Sequence, residues 1–162
     1  VVTWSDKIHI PPITSGEGIK LEAKEDWAIV HYNYNNISQY IDRMNRYSTI
    51  QAKELVSDGY KFNWSDLIQK PLSEFLSRFF VNKGFEDGLH GLALSFLQAF
   101  SFLVVYLKVW EMEKFKEQKI NLNEIKNEAN LSGQQISYWF KYGNLSKNPF
   151  KRFAQKVKNR LS

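Results

Sequence analysis

Few residues in this chain could do chemistry. There are three histidines (His9, His31 and His90), no cysteine, and 17 Asp and Glu. Imidazole titrates near neutrality and is a ready metal ligand, so each histidine is weighed in turn. His90 has the richest surroundings, because it shares a glycine-punctuated turn, Gly84 to Gly91, with Glu86 and Asp87. Those three groups could converge on a ligand, although the helix macrodipole explains an acid such as Asp87 at a helix start equally well. His31 follows Ile29-Val30 and precedes Tyr32, and on spacing alone it is an isolated imidazole. His9 precedes Pro11 and reads as a partly buried strand residue. On residue type alone, a structural role accounts for all three. The lack of Cys excludes a disulfide framework, a thiolate zinc site and a Cys nucleophile. Phosphate-loop, dinucleotide, nucleophile-elbow and H-E-x-x-H motifs are also missing from the sequence.

A second kind of chemistry is electrostatic. The net charge of +5 is concentrated at the C-terminal end, where Lys141 to Ser162 carry Lys and Arg but no acid. A last helix opened by Asn148-Pro149 places Phe150, Phe153, Val157 and Leu161 on one side and basic residues on the rest. Lys151, Arg152, Phe153, Lys156, Lys158 and Arg160 therefore form a candidate membrane-surface set, suited to anionic headgroups. The rival reading is nucleic acid. Leu122 to Leu145 could form a helix-turn-helix with its turn at Leu131-Ser132-Gly133, but its second helix would present bulky aromatics. Nucleic acid is the less favoured partner.

The elements that must position these residues are mostly helical. Val1 to Ile10, Ile19 to Leu21 and Trp27 to Tyr34 are β-branched and aromatic, which predicts short strands. Asn35 or Asn36 caps a helix that ends at Gly59 and carries Ile37, Tyr40, Ile41, Met44, Tyr47, Ala52 and Leu55 as its stripe. Pro71 is expected at the first position of the next helix, with Leu72, Phe75, Leu76, Phe79 and Phe80 on its apolar face. The turn at Gly84 then opens into an apolar run, uncharged from Gly88 to Leu107, about as long as a bilayer-crossing helix needs. Gly91, Ser95, Gln98 and Ser101 line one side of that run, which favours a helix partly in the core and partly sunk in a membrane surface. Three further helical stretches are expected at Met112 to Gln118, Asn121 to Asn130 and Ser132 to Tyr142. The fold class is mainly α with a small β segment at the N-terminus.

Five blocks, taken in order, resemble a known family. They are Ile29-Val-His-Tyr; Tyr40-Ile-Asp-Arg-Met-Asn-Arg-Tyr-Ser with Gln51-Ala52; Lys70-Pro-Leu-Ser-Glu-Phe with Arg78-Phe-Phe; Gly84-Phe-Glu-Asp-Gly-Leu-His-Gly-Leu; and Lys108-Val-Trp-Glu. Together, over roughly Lys7 to Phe115, they resemble the C-terminal part of family 2 glycosyltransferases. The subgroup is that of bacterial lipopolysaccharide-core and cell-envelope enzymes. The resemblance implies a GT-A fold and inverting transfer from a nucleotide-sugar donor to a lipid-linked or lipopolysaccharide-type acceptor. It also implies a divalent metal, Mg or Mn, and a cytoplasmic enzyme peripheral at the inner membrane. His31 would contact the metal or the diphosphate, while Arg43 and Arg46 would grip donor diphosphate or acceptor. Glu86, Asp87 and His90 would form a second signature of unassigned role.

No D-x-D occurs here. The resemblance therefore implies that metal-binding carboxylates and catalytic base lie upstream of Val1, and that this piece alone is inactive. The expected organisation is 1–34 as the end of the catalytic domain, 35–115 as a helical acceptor-side and membrane-facing region, and 116–162 as a basic helical tail. The alternative is a non-enzymatic module that binds nucleic acid or anchors to a membrane surface through residues 121–162.

Overall fold

The computed structural model describes residues 1–4, 11–28 and 34–143. Two short strands, β1 (Val2–Thr3) and β2 (Ile13–Thr14), pair antiparallel, with Val2 opposite Thr14 and Thr3 opposite Ile13. Both are exposed, and they are the strands among the described residues. Ile19–Leu21, expected as a strand, is exposed chain without a pairing partner among the described residues, and Glu25–Trp27 forms a single 3-10 turn; most of the strands expected over Val1 to Ile10 and Trp27 to Tyr34 falls outside the described residues. β-branched side chains favour strands only where a neighbouring strand or core receives them, and among the described residues none receives Ile19–Leu21.

Helix α1 (Ile37–Ser57) starts where the asparagines predict. The Asn36 side chain accepts from Gln39 N at 2.9 Å and Gln39 Oε1 accepts from Asn35 N at 2.9 Å, so two otherwise unpaired N–H groups are satisfied. The helix ends at Gly59, whose φ of +85° lets Tyr60 N reach back to Leu55 O at 2.9 Å. Its buried ridge is Tyr40, Met44, Ser48 and Ala52, a run of four-residue steps. Ile37 and Tyr47, expected to be inward, are 67% and 42% exposed.

Helix α2 (Asp66–Leu76) begins earlier than the proline suggests, so Pro71 lies inside the helix rather than at its first position. The start is fixed by Asn63 and Asp66: Asn63 Oδ1 accepts from Ser65 N and Oγ, while Asp66 Oδ2 accepts from Asn63 N at 3.0 Å. That local satisfaction, reinforced by docking on the next helix, offsets the hydrogen bond that Pro71 cannot donate. A π-helical turn, Ser77–Val81, continues it and buries Phe80. Residues 84–87 make a 3-10 turn, and α3 (Gly88–Met112) follows.

Helix α3 is the central element. Tyr40 meets Gln98, and Ser48 meets Lys108, so α1 and α3 run in the same direction. Helix α2 runs against them, with Lys70 near Tyr106 and Phe75 on Phe96. The core joins Ala52, Phe62, Val105, Tyr106 and Val109, with Leu55, Val56, Leu67 and Trp110 around it. At the other end of α3 the small residues expected to face inward do so: Gly91 and Ser95 are buried, and Ser95 Oγ donates to Gly91 O at 2.6 Å.

Beyond Met112 the chain departs from the expected helical stretch to Gln118. Lys114 and Phe115 take positive φ values of 58° and 53°, and residues 116–120 have no regular structure. Helix α4 (Leu122–Tyr142) then runs unbroken through Ser132 and Gly133, started by a reciprocal capping box between Asn121 and Glu124. The expected break, and with it the helix-turn-helix, is absent. A mid-helix glycine costs only about 1 kcal/mol, too little to end a capped helix. Helix α4 buries no residue and meets the rest at Trp139 and Phe140, both against Phe80.

Contact between Gly91 and the 84–87 turn is close. A Cβ on Gly91 would lie 1.8 Å from Gly84 O, a backbone atom that no rotamer change can move. Gly91→Ala is expected to push this turn off α3 and lower stability by ~2 kcal/mol or more in urea unfolding. Wild-type stability in that variant would contradict the contact.

Candidate functional site

The residues that the sequence nominates fall into two groups. His31, together with Lys151, Arg152, Phe153, Lys156, Lys158 and Arg160, lies outside the described residues, as does His9. The others are placed. Glu86, Asp87 and His90 sit at the N-terminal end of α3, all exposed, with Glu86 paired to Lys83. Asp87 stands at the helix start, but its side chain makes no capping bond. Among the described residues no three His, Asp or Glu side chains stand together as a metal-holding group, so this turn does not form one.

Arg43 and Arg46 lie on α1. Arg43 is half-buried and already has an interaction partner, whereas Arg46 is exposed on the side opposite the Tyr40–Ala52 ridge. With Tyr40 level with Gln98, Arg43 is about 11 residues along α3 from His90, or ~16 Å at 1.5 Å per residue. The arginines and the acid-bearing turn are therefore separate features.

Three polar contacts that the spacing did not reveal hold the helices in register. Lys108 Nζ donates to Asn45 O, Asn45 Oδ1, Ser48 Oγ and Thr49 Oγ1 at 2.7, 2.7, 2.9 and 2.7 Å. One ammonium on α3 thus gathers a full turn of α1, although partial burial lowers its pKa from the usual lysine value. Tyr40 donates to Gln98 Oε1 at 3.2 Å, and burial raises its pKa.

The third contact lies at the opposite end. Asp66 is 5% exposed and faces the Tyr60 hydroxyl, and Lys70 stands 5.9 and 5.4 Å from the Tyr60 and Tyr106 ring centres. Burial, followed by the Asp66 hydrogen bond and charge, raises the Tyr60 pKa strongly. A signal for this cluster was available in the sequence. Asn63-x-x-Asp66 is a capping pattern, but it gives no hint of a tyrosine arriving from the preceding turn.

Two apolar features remain. Leu89, Ala93, Phe96 and Phe100 share one face of α3, and Leu89, Phe96 and Phe100 are 78%, 59% and 45% exposed. The helical segment Gly84–Met112 is long and apolar enough to cross a membrane, yet its other face is core. At the far end of α3 a half-enclosed cavity of about 290 Å3 is lined by Phe62, Trp64, Leu67, Trp110, Phe115 and Ile120, with Glu117 and Gln118. Gln118 is spent on the backbone, accepting from Trp64 N at 2.9 Å and donating to Phe62 O at 2.7 Å. Trp110 Nε1 donates to Lys116 O at 2.9 Å.

Comparison with known proteins gives one consistent signal. The chain is 34% identical over 82 residues to a Rickettsia typhi protein named an uncharacterized glycosyltransferase, covering 51% of this chain and 28% of that one. It is 29% identical over 104 residues to a Rickettsia conorii protein of the same name, covering 64% and 36%. A Rickettsia prowazekii protein, likewise named, is 35% identical over 71 residues, covering 44% and 24%. The chain thus spans about a third or less of the length of these relatives. No family model and no solved structure matches it.

The Tyr60–Asp66 contact carries a pH signature. The folded chain holds the Tyr60 proton above pH 10, where the unfolded chain begins to release it. The unfolded state then binds fewer protons, so this contribution is complete below about pH 10 and is lost as pH rises further. Urea unfolding of Tyr60→Phe between about pH 9 and pH 11 should show a shallower alkaline loss than wild type. An identical slope would contradict the burial of this hydroxyl.

Proposed function

We propose that this chain is the C-terminal, mostly helical part of a family 2, GT-A-type glycosyltransferase. The parent would transfer a sugar, with inversion, from a nucleotide-sugar donor to a lipid-linked or lipopolysaccharide-type acceptor. The observation that carries the proposal is the similarity to proteins named glycosyltransferases, which reaches 64% of the chain. The five ordered sequence blocks support the same reading and extend it to the cell-envelope subgroup.

In this reading, the metal-binding carboxylates and the general base belong to an α/β half preceding Val1. A divalent ion in the parent, Mg or Mn, would neutralise charge on the departing diphosphate. His31 would contribute to that site from the end of the catalytic half. Arg46, exposed on α1, is free to meet a diphosphate or an anionic acceptor; Arg43 would have to exchange its present contact to do so. The helical part contributes a platform. The exposed Leu89, Phe96 and Phe100 face would lie in the surface of the cytoplasmic membrane, close to lipid-borne acceptors, and the basic end would hold it to anionic headgroups. The enzyme would accordingly be cytoplasmic and peripheral.

The test starts upstream. Reading the gene upstream of the Val1 codon is expected to reveal an Asp-x-Asp-bearing α/β half, and an open frame without one sinks the enzyme reading. In the assembled parent, His31→Ala should lower turnover ~10-fold or more and raise the metal concentration needed for half activity. Unchanged metal dependence would remove His31 from the site.

A further inference from the structure

The turn of α1 beneath Lys108 has the chemistry of a cation site. Oxygens from a single helical turn converge on one point: Asn45 O, Asn45 Oδ1, Ser48 Oγ and Thr49 Oγ1 lie 2.7, 2.7, 2.9 and 2.7 Å from Lys108 Nζ. Two of these groups are hydroxyls, which in general either donate or accept. Here the choice is fixed locally. Ser48 Oγ donates to Asn45 O at 3.1 Å, and Thr49 Oγ1 donates to the same oxygen at 2.9 Å. A hydroxyl has a single proton, so both protons are committed to α1 itself and lone pairs are left facing Nζ. The Asn45 amide turns its oxygen to the same point. The cluster is therefore acceptor-only, and its orientation comes from the α1 sequence Asn45-x-x-Ser48-Thr49 rather than from α3.

The geometry also selects which cation. All four distances fall in the range of charge-assisted N–H···O bonds, about 2.7–2.9 Å. Calcium takes about six to eight oxygens at about 2.3–2.6 Å, and magnesium holds its ligands at about 2.0–2.1 Å. The cluster is too wide and too sparse for either, and no carboxylate belongs to it to balance a divalent charge. A primary ammonium suits it, being a compact charge that carries three N–H donors on one atom. Lys108 makes no ion pair among the described residues, so neutral oxygens alone hold its charge. Glu111, the acid that acts on it electrostatically, stands about one turn further along α3. Ser48 is 2% exposed and has the ammonium, not bulk water, as its donor.

We propose that residues 45–49 of α1 form a binding site for one primary ammonium group, which Lys108 occupies from α3 and which a free alkylammonium fills when that side chain is shortened. Arg46 lies inside the same turn, so the occupant also steadies the backbone that carries this exposed arginine. The site stands apart from the transferase reading, because it rests on these contacts rather than on the relatives.

The first test needs no substitution. In the 162-residue chain with nitrogen-15 lysines, the Lys108 ammonium should exchange its protons with water ~10-fold or more slowly than that of Lys53, which is exposed on the same helix α1. Equal exchange would overturn the proposal. The second test empties the site. Lys108→Ala removes Cγ, Cδ, Cε and Nζ, which are the heavy atoms of n-propylammonium. Hydrogen-exchange protection of the amides of residues 45–49 should fall in this variant, and n-propylammonium chloride should restore it saturably. Tetramethylammonium chloride at the same ionic strength has the charge but no N–H, and should restore none. n-Propanol has the stem without the charge, and should restore several-fold less. If Lys108→Ala is unfolded, n-propylammonium should refold it where the two controls do not. Adding Thr49→Val removes one acceptor at nearly constant shape and should weaken the effect of the amine several-fold. The proposal is overturned if the amine restores nothing, if all three additives act equally, or if Thr49→Val leaves the effect of the amine unchanged.

Discussion

Everything described here depends on how closely other elements can approach one face of α3. An uncharged helix from Gly88 to Leu107 must hide much of its surface, and it does so through a ridge of small and medium side chains: Gly91, Ser95, Ala99, Val105 and Val109. Gly91 admits the backbone of the preceding turn to a distance that no other residue permits. Higher up, Val105, Tyr106 and Val109 join Ala52 and Phe62 in the apolar core. Without that ridge α2 would have no surface to return along, and the turn bearing Glu86, Asp87 and His90 would have nothing to sit on.

The polar groups follow from the same constraint. A lysine that ends an apolar run needs acceptors, and α1 supplies four from the turn Asn45–Thr49. Hydrogen bonds to a charged donor contribute more than neutral ones, so Lys108 also sets the axial register of α1. Gln98 and Tyr40 repeat this in a neutral form one level down. The buried Asp66 accepts from Asn63 N and faces the Tyr60 hydroxyl. Apart from the Ser132 hydroxyl on α4, the buried side-chain polar atoms among the described residues have partners, and the groups available for function are at the ends and on the outside: the acid-bearing turn, Arg46, the apolar face of α3 and the cavity beyond Trp110. A platform that positions an acceptor for a catalytic half elsewhere would have this distribution.

Local chemistry was legible in the sequence wherever a residue acts on its own neighbours. Asn36 and Gly59 mark the ends of α1 because capping and left-handed φ are one-residue properties. The inward stripe of Gly91 and Ser95 is visible because small and polar residues, Gly91, Ser95, Gln98 and Ser101, recur at helical spacing in the apolar run. Elsewhere tertiary contact overrides local preference. Pro71 looked like a helix start, but Asn63 and Asp66 had already fixed one five residues earlier. Gly133 looked like a turn, but the Asn121–Glu124 capping box carries α4 through it. The Met112–Gln118 stretch has helical composition, yet Gln118 and Trp110 tie it across the Phe62–Trp64 turn, and that pairing between distant segments leaves no trace in residue spacing. The cavity was illegible for the same reason.

The division of α3 into a core face and an outer apolar face is the central physical claim. A helix whose Gly91–Val109 ridge is covered cannot also present that ridge to lipid, so the apolar face left open to a membrane surface, if the proposed platform holds, is that of Leu89, Ala93, Phe96 and Phe100. The chain has no cysteine, so a single fluorophore can be attached at Leu89→Cys, Phe96→Cys or Phe100→Cys, with an exposed α1 position, Lys53→Cys, as reference. Depth-dependent quenching in anionic vesicles then reads the answer directly. A helix lying in the interface places all three labels at one shallow depth and leaves the Lys53 label in water. Depths that increase by ~16 Å from Leu89 to Phe100, the rise of eleven helical residues, would instead mean a membrane-crossing helix, and no quenching at any position would mean no membrane contact.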